Sequence, residues 1–122
     1  MALALDIMKG GFSSGSAKAI NGQVQSAITA AGTTITDATD LLASINVVTT
    51  ATASTGVQLP LCEIGDEVEI LNLGANAVTV YPDSSSNRIN ALTAGSGFLL
   101  ATNTAVKLRK FTATRWAGYL SA

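Results

Sequence analysis

The sequence predicts an all-β domain: an antiparallel β-sandwich or jelly roll preceded by an extended N-terminal arm. From Asn46 onward, short runs of β-branched and apolar residues recur at regular spacing, and turns rich in Gly, Asn and Ser separate them. Strands do not alternate with helix-length segments, so a parallel α/β sheet is not expected. A chain of 122 residues is long enough for one such domain with an arm.

The predicted arm comprises residues 1–45, and the predicted sandwich domain comprises residues 46–122. Gly, Ser, Thr and Ala dominate the arm, and its best helical candidate, residues 37–44, is too short to be stable alone. Scattered apolar side chains nevertheless occur along it, so we expect it to become ordered by lying along another protein surface. The alternative is a flexible linker or tail without specific contacts.

Two hairpins are the clearest local predictions. In residues 66–81, apolar side chains alternate with Glu67 and Glu69, and "GAN" at 74–76 suits a tight turn because Gly and Asn tolerate positive φ. The second hairpin joins residues 105–111 to residues 115–120 through "TAT". Further short strands are predicted at residues 46–53 and 56–60, close to Arg88, and around residues 98–101.

The residue types disfavour catalysis. The chain contains no histidine, the commonest general base and metal ligand. Its single cysteine, Cys62, lies among apolar neighbours, which is typical of a small buried hydrophobe. Glu67 and Glu69 indicate a solvated strand face rather than a catalytic pair, and Asp83 before three serines indicates a polar turn rather than a calcium site. We therefore predict no enzyme activity, no cofactor and no metal site.

Charge and hydropathy predict neither a nucleic-acid partner nor a membrane partner. The net charge is −1, and the chain has neither a signal peptide pattern nor the ~20 apolar residues of a membrane span. We expect a soluble protein that is made in a cytoplasm.

The last hairpin carries a basic cluster of Lys107, Arg109, Lys110 and Arg115. We expect it to pair with the acidic residues 63–69, within the subunit or across an interface. Trp116 and Leu120 are expected to pack inward as core.

Several motifs of the chain resemble a module that recurs in structural proteins of tailed bacteriophages. They are "TGVQLP" at 55–60, "GDEVEILNLGANAVTVYP" at 65–82, "RINAL" at 88–92 and "KFTATRWAGYL" at 110–120. Together with the N-terminal "LDIMKGGFSSGSA" and "ITDATDLLASINVVTTA", they make the chain similar to the capsid decoration proteins, also called cement or head-stabilising proteins. This resemblance implies a β-rich subunit, commonly a homotrimer, on the outer surface of the capsid.

The resemblance also implies the major capsid protein as a partner. We expect the arm to bind the capsid through apolar side chains, namely Leu5, Ile7, Met8, Phe12, Ile20, Val24 and Ile28. The expected oligomer contacts are Leu71, Leu73, Tyr81 and Leu99. Two alternatives remain open: a tail or fibre component built on the same module, and a carbohydrate-binding sandwich with Trp116, Tyr119 or Tyr81 as a sugar platform.

Overall fold

The computed structural model describes residues 23–121, where the regular structure consists of ten β-strands without a helix. The all-β prediction is therefore confirmed. The strands are β1 (Val24–Thr29), β2 (Thr39–Asp40), β3 (Ile45–Thr50), β4 (Gly56–Gln58), β5 (Glu67–Asn72), β6 (Val78–Tyr81), β7 (Arg88–Ile89), β8 (Phe98–Leu100), β9 (Thr104–Thr112) and β10 (Arg115–Leu120).

The strands form two sheets, and the chain crosses between them as it advances. One sheet, called sheet A here, has the order β1-β3-β5-β9-β10-β7, and the other, sheet B, has the order β2-β4-β6-β8. Each of the strands β1 to β4 pairs in parallel with the strand two places further along the chain, whereas β5 pairs with β9 and β6 pairs with β8 in antiparallel fashion. This arrangement is a β-solenoid of about four turns.

The predicted antiparallel sandwich or jelly roll is therefore wrong. The clearest example is the predicted hairpin over residues 66–81: β5 lies in sheet A between β3 and β9, whereas β6 lies in sheet B between β4 and β8. The alternation of apolar and polar side chains along a strand depends only on which face of the strand is buried. It is therefore the same whether the strand pairs with its neighbour in the chain, as in a hairpin, or with the strand after that, as in a solenoid. The second predicted hairpin, formed by β9 and β10, is confirmed.

A buried asparagine makes the segment after β5 a corner of the solenoid instead of a hairpin turn. Asn72 is 0% exposed, and its Nδ2 donates to the backbone oxygens of Asn76 and Leu100, both at 2.9 Å. Its Oδ1 accepts a hydrogen bond from the Gly74 N–H at 2.9 Å. A Cβ at Gly74 would lie 2.8 Å from the Cβ of Ala51, so this corner packs tightly against the preceding turn.

The first turn of the solenoid lies inside the segment that was predicted to be an arm. β1 pairs with β3 and β2 pairs with β4, and Ile28 and Leu41 are 4% and 1% exposed in the core. The extended arm is thus corrected for residues 24–45, which are integral to the fold, and the helical candidate at 37–44 contains β2 instead. The rest of the predicted arm, residues 1–22, lies outside the described residues.

The core lies between the two sheets and consists of the side chains that alternate inward. Trp116 is 0% exposed, as predicted, but the prediction for Leu120 is wrong because Leu120 is 62% exposed. Leu120 pairs with Val106 at the end of β10, near an open cleft between the sheets. The largest fully buried side chains are Trp116, Leu41, Ile70, Ile89, Leu100, Leu108, Val48, Val57, Val68, Val78, Val80 and Val106.

Candidate interaction surfaces and a buried polar cluster

The most elaborate polar site among the described residues is a buried group of four side chains, which we call the Asp83 cluster: Asp83, Asn87, Lys110 and Trp116. Lys110 Nζ lies 2.7 Å from Asp83 Oδ2. The other carboxylate oxygen, Oδ1, accepts from Asn87 Nδ2 at 2.7 Å and from Trp116 Nε1 at 2.9 Å. Asp83, Asn87 and Lys110 are each 7% exposed, so this network is almost dry.

Three parts of the solenoid supply the cluster. Asp83 and Asn87 flank the serines of the loop after β6, Lys110 is on β9, and Trp116 is on β10. Lys110 Nζ also donates to the Cys62 carbonyl oxygen at 3.0 Å and lies 5.9 Å from the centre of the Trp116 ring. The ammonium group therefore has a carboxylate, a carbonyl and an aromatic ring around it.

Hydrogen bonding determines the charge state of Asp83. Burial by itself would raise the pKa of this carboxyl group, because it disfavours the charged form. Hydrogen bonds from Asn87, Lys110 and Trp116, together with the Lys110 charge, outweigh burial and lower the pKa of Asp83 below its usual value. Asp83 is consequently a carboxylate at neutral pH.

The sequence predicts a different environment for two members of this cluster. It predicts a polar turn for Asp83, and for Lys110 it predicts a basic cluster, shared with Lys107, Arg109 and Arg115, that pairs with residues 63–69; Lys110 instead pairs with Asp83. The alternation along β9 distinguishes Lys110 from Lys107 and Arg109. Val106 and Leu108 point inward, and Lys110 is the next residue of that inward series. The sequence did not reveal that the loop after β6 supplies a carboxylate to meet Lys110.

The outward side chains of β9 pair with β5 within the subunit, one of the two predicted possibilities. Lys107 Nζ lies 3.8 Å from a Glu67 carboxylate oxygen and 3.5 Å from one of Glu69, and Arg109 also pairs with Glu67. The two glutamate side chains are 37% and 49% exposed, which agrees with the predicted solvated strand face. Such exposed pairs each contribute no more than about 1 kcal/mol.

Cys62 is half-buried and contacts the edge of the core. Burial raises the pKa of its thiol, and the negative charges of Asp66 and Asp83 raise it further. The protonated thiol is therefore the dominant form at neutral pH.

The four expected oligomer contacts lie on two different sheets. Leu71 is half-buried on β5, and Leu73 follows β5 with 50% exposure. Tyr81 and Leu99 lie on the outer side of sheet B and border one open depression of about 400 Å³. Leu99 is 68% exposed, and the Tyr81 hydroxyl donates to the Thr33 carbonyl oxygen at 3.0 Å.

The expected capsid-binding side chains are only partly described. Val24 is 65% exposed on the edge strand β1, whereas Ile28 is buried in the core and is not accessible to a partner. Leu5, Ile7, Met8, Phe12 and Ile20 lie outside the described residues.

A second apolar surface lies at the end of the molecule near β7, β8 and β10. It is an open cleft of about 520 Å³ whose lining includes Leu92, Phe98 and Leu120. Leu99 borders both this cleft and the depression on sheet B. Leu99 is therefore shared by the apolar cleft and by the more polar depression.

The described residues also show where the candidate sugar-binding aromatic side chains lie and whether a metal site or a membrane-spanning helix is present among them. Trp116 is fully buried and cannot form a sugar platform on the surface, whereas Tyr119 is 66% exposed. Within residues 23–121, no set of three or more His, Cys, Asp or Glu side chains is placed to bind a metal ion. In the same range, no helix has the length and apolar character needed to cross a bilayer.

Comparison of the chain with protein-family models, curated proteins and solved structures finds no match.

Proposed function

We propose that this chain is a bacteriophage capsid decoration protein, which binds the outer surface of the head and links neighbouring capsomers. One observation carries the proposal: the described domain pairs its buried charges internally but leaves large apolar side chains exposed on its outer faces. Exposed apolar surface of this kind is typical of protein–protein contact sites. The motifs at 55–60, 65–82, 88–92 and 110–120 provide the link to phage structural proteins.

The solenoid suits a role that bears load. Successive turns are held together by parallel strand pairing and by corner hydrogen bonds such as Asn76 Nδ2 to the Ala51 carbonyl oxygen, at 3.0 Å. The Asp83 cluster ties the loop after β6 to β9 and β10. A domain whose turns are held together in this way is expected to resist local unfolding when it transmits force between neighbouring capsomers.

A homotrimer is the assembly that we propose for it. In a cyclic trimer each interface is heterologous, so every subunit presents two different patches to its neighbours. The apolar side chains divide into two such patches, Leu71 and Leu73 on the side of sheet A and Tyr81 and Leu99 on the outer side of sheet B. The sheet A patch of one subunit would contact the sheet B patch of the next.

The segment that we propose to bind the capsid comprises residues 1–22 of the predicted arm and is called the strap here, since residues 24–45 belong to the solenoid. Fully extended, 22 residues would reach up to about 75 Å. Val24, exposed at the edge of β1, would extend the apolar surface of the strap onto the folded domain. Three straps on one trimer would bind with avidity, so each contact can be weak.

Deletion of residues 1–22 tests the strap directly. We expect the truncated protein to keep its folded solenoid and its trimer but to lose sedimentation with capsids that lack the decoration protein. The full-length chain is the positive control, and circular dichroism verifies folding of the deletion variant. If the folded deletion variant bound capsids as well as the full-length chain, the proposal that residues 1–22 bind the capsid would be refuted.

The copy number of the chain in virions tests the location. Copies comparable in number to the major capsid protein are expected for a lattice decoration protein. A few copies per particle would instead support a tail or fibre component and would refute the proposed decoration role.

A further inference from the structure

The Asp83 cluster brings together the functional groups that form an amide bond between side chains. Lys110 provides an amine, Asn87 provides a carboxamide, and the carboxylate of Asp83 lies between them. Each oxygen of this carboxylate is bound to one of the two groups, and both contacts measure 2.7 Å. The arrangement is more specialised than an ion pair requires, because a lysine and an aspartate alone would satisfy that function.

The site is also almost dry, and hydrogen bonds fix the positions of its side chains. The side chains of Lys110 and Asp83 are 9% and 1% exposed, and the fully buried indole of Trp116 holds Asp83 Oδ1 in place. Groups held together in a fixed orientation react with effective concentrations far above those in free solution. Exclusion of water also disfavours hydrolysis of the carboxamide as a competing reaction.

We propose that Lys110 and Asn87 become joined by an amide bond, with Asp83 as the group that carries the protons between them. The product is an internal cross-link between β9 and the loop after β6. This inference is independent of the proposed virion role, because it concerns only the chemistry inside one subunit.

The reaction balances without any further reactant. Asp83 takes a proton from the Lys110 ammonium group, and the neutral amine forms a bond from Nζ to Cγ of Asn87. The Cγ–Nδ2 bond breaks, and Nδ2 departs as ammonia after it receives one of the two protons that Nζ loses. Asp83 keeps the other proton, so a buried ion pair is replaced by a neutral amide and a neutral carboxyl group.

Two physical factors determine the course of this reaction. Loss of the buried charges favours the product, because two charges held away from water carry a large desolvation cost. Its hydrogen bonds lower the pKa of Asp83, so this carboxylate is a weak proton acceptor and the bond forms slowly. The cross-linked fraction is therefore expected to increase with time after folding.

Mass spectrometry of the full-length chain is the decisive experiment. The intact mass, recorded under denaturing conditions directly after purification and after prolonged incubation of the folded protein, is expected to fall by the mass of one ammonia. Trypsin should then leave residues 110–115 attached to the fragment of residues 19–88, since modified Lys110 is no longer a cleavage site. An unchanged mass in folded protein after incubation would overturn the proposal, and so would a loss of water, which would join Lys110 to Asp83 instead.

Three variants complete the test. Asn87→Ala removes the acceptor, and Asp83→Asn keeps both reacting groups but removes the proton carrier; each is expected to retain the full mass while folded. Lys107→Met is the matched control, because Lys107 lies on the same strand but points to solvent, and it is expected to cross-link like the wild type. Cross-linking in folded Asp83→Asn would refute the role of Asp83, and its absence in folded Lys107→Met would refute the assignment to Lys110.

Discussion

At the scale of single residues, the most consequential interaction is the one between Lys110 and Asp83. Both side chains are almost completely buried, and removal of one partner leaves the other as an uncompensated charge away from water. The pairs formed by Lys107 with Glu67 and Glu69 have the same chemistry in a different environment, because water screens them. The contrast gives a matched test of burial.

Relative to protein that has not yet formed the Lys110–Asn87 bond, Lys110→Met is expected to lower the free energy of unfolding by about 3–5 kcal/mol, because it leaves the buried Asp83 carboxylate without a partner. Lys107→Met, on the same strand, is expected to change it by no more than about 1 kcal/mol. Urea unfolding followed by the fluorescence of Trp116, the single tryptophan, measures both values. Equal effects of the two substitutions would show that the buried pair contributes no more than a surface pair.

In protein that has not yet formed the Lys110–Asn87 bond, acid is expected to destabilise the fold through Asp83. Its pKa is lowered in the folded state, so its contribution is present above the unfolded pKa of about 3.9 and is lost as the pH falls through the lower folded value. Asp83→Asn removes this titration, so its free energy of unfolding should fall less steeply below pH 4 than that of the wild type. Urea titrations at several pH values provide the comparison, and identical slopes would exclude Asp83 as the acid-sensitive group.

At the scale of elements, side-chain amides form the corners that connect one sheet to the other. Asn72 satisfies three backbone groups at the corner after β5, and Asn46, also 0% exposed, donates to the carbonyl oxygens of Ala43 and Glu69 at the start of β3. Backbone groups that a turn leaves unpaired are costly when they are buried. Asparagine at these positions forms hydrogen bonds with such backbone groups, so the chain can cross from one sheet to the other without leaving them unpaired.

Asn72→Ala is expected to lower the free energy of unfolding by at least about 2 kcal/mol. The buried Leu100 carbonyl group loses its donor, and the corner also loses the hydrogen bonds of Asn72 with Asn76 and Gly74. Asn76→Ala is the control: that side chain is exposed overall and donates a single hydrogen bond, to Ala51. Urea unfolding of both variants should show the larger loss for Asn72→Ala. The reverse order would refute the role of Asn72 as the corner residue.

At the scale of the whole molecule, stability depends on the stacking of turns. A solenoid turn covers the core of its neighbour, so the first turn protects the side chains of the second. Ile28 and Leu41 belong to β1 and the segment after β2, and they lie in one core cluster with Val48 and Val57 of β3 and β4.

Two truncations separate the first turn from the segment that precedes it. Removal of residues 1–22 is expected to leave the melting temperature almost unchanged, because no described strand is lost. Removal of residues 1–45 is expected to lower it sharply or to prevent folding, because Val48 and Val57 would lose their cover. Thermal unfolding followed by circular dichroism distinguishes the two variants. If the variant without residues 1–45 kept the melting temperature of the full-length chain, residues 24–45 would be dispensable for stability.

The proposed trimer has its own test. Leu99→Asp places a charge in the apolar sheet B patch and is expected to convert trimers to monomers in sedimentation-velocity experiments. Leu42→Asp is the control, because Leu42 is 76% exposed but belongs to neither proposed patch. Equal dissociation by both substitutions, or by neither, would argue against the sheet B patch as an interface.

From residue 46 onward the sequence by itself determined which segments are strands and, for most of them, which side chains point inward, whereas β1 and β2 lie in the segment that was predicted to be an arm. Val68, Ile70, Val78 and Val80 are buried as their alternation requires, and Trp116 is in the core. These features depend on local periodicity, which can be recognised from residues that are close together in the sequence. The β9–β10 hairpin was equally predictable, because its partners are adjacent in the chain.

Tertiary structure alone decided which strands of different turns pair and which distant groups meet. β5 and β6 alternate like the arms of a hairpin, yet each pairs with the strand of an earlier turn, since Asn72 and Gly74 turn the chain into the other sheet. Asp83 and Lys110 are 27 residues apart, and only the stacking of turns places them 2.7 Å from one another. Periodicity reports the side to which a residue points, whereas pairing depends on the energy of contacts between segments that are remote in sequence.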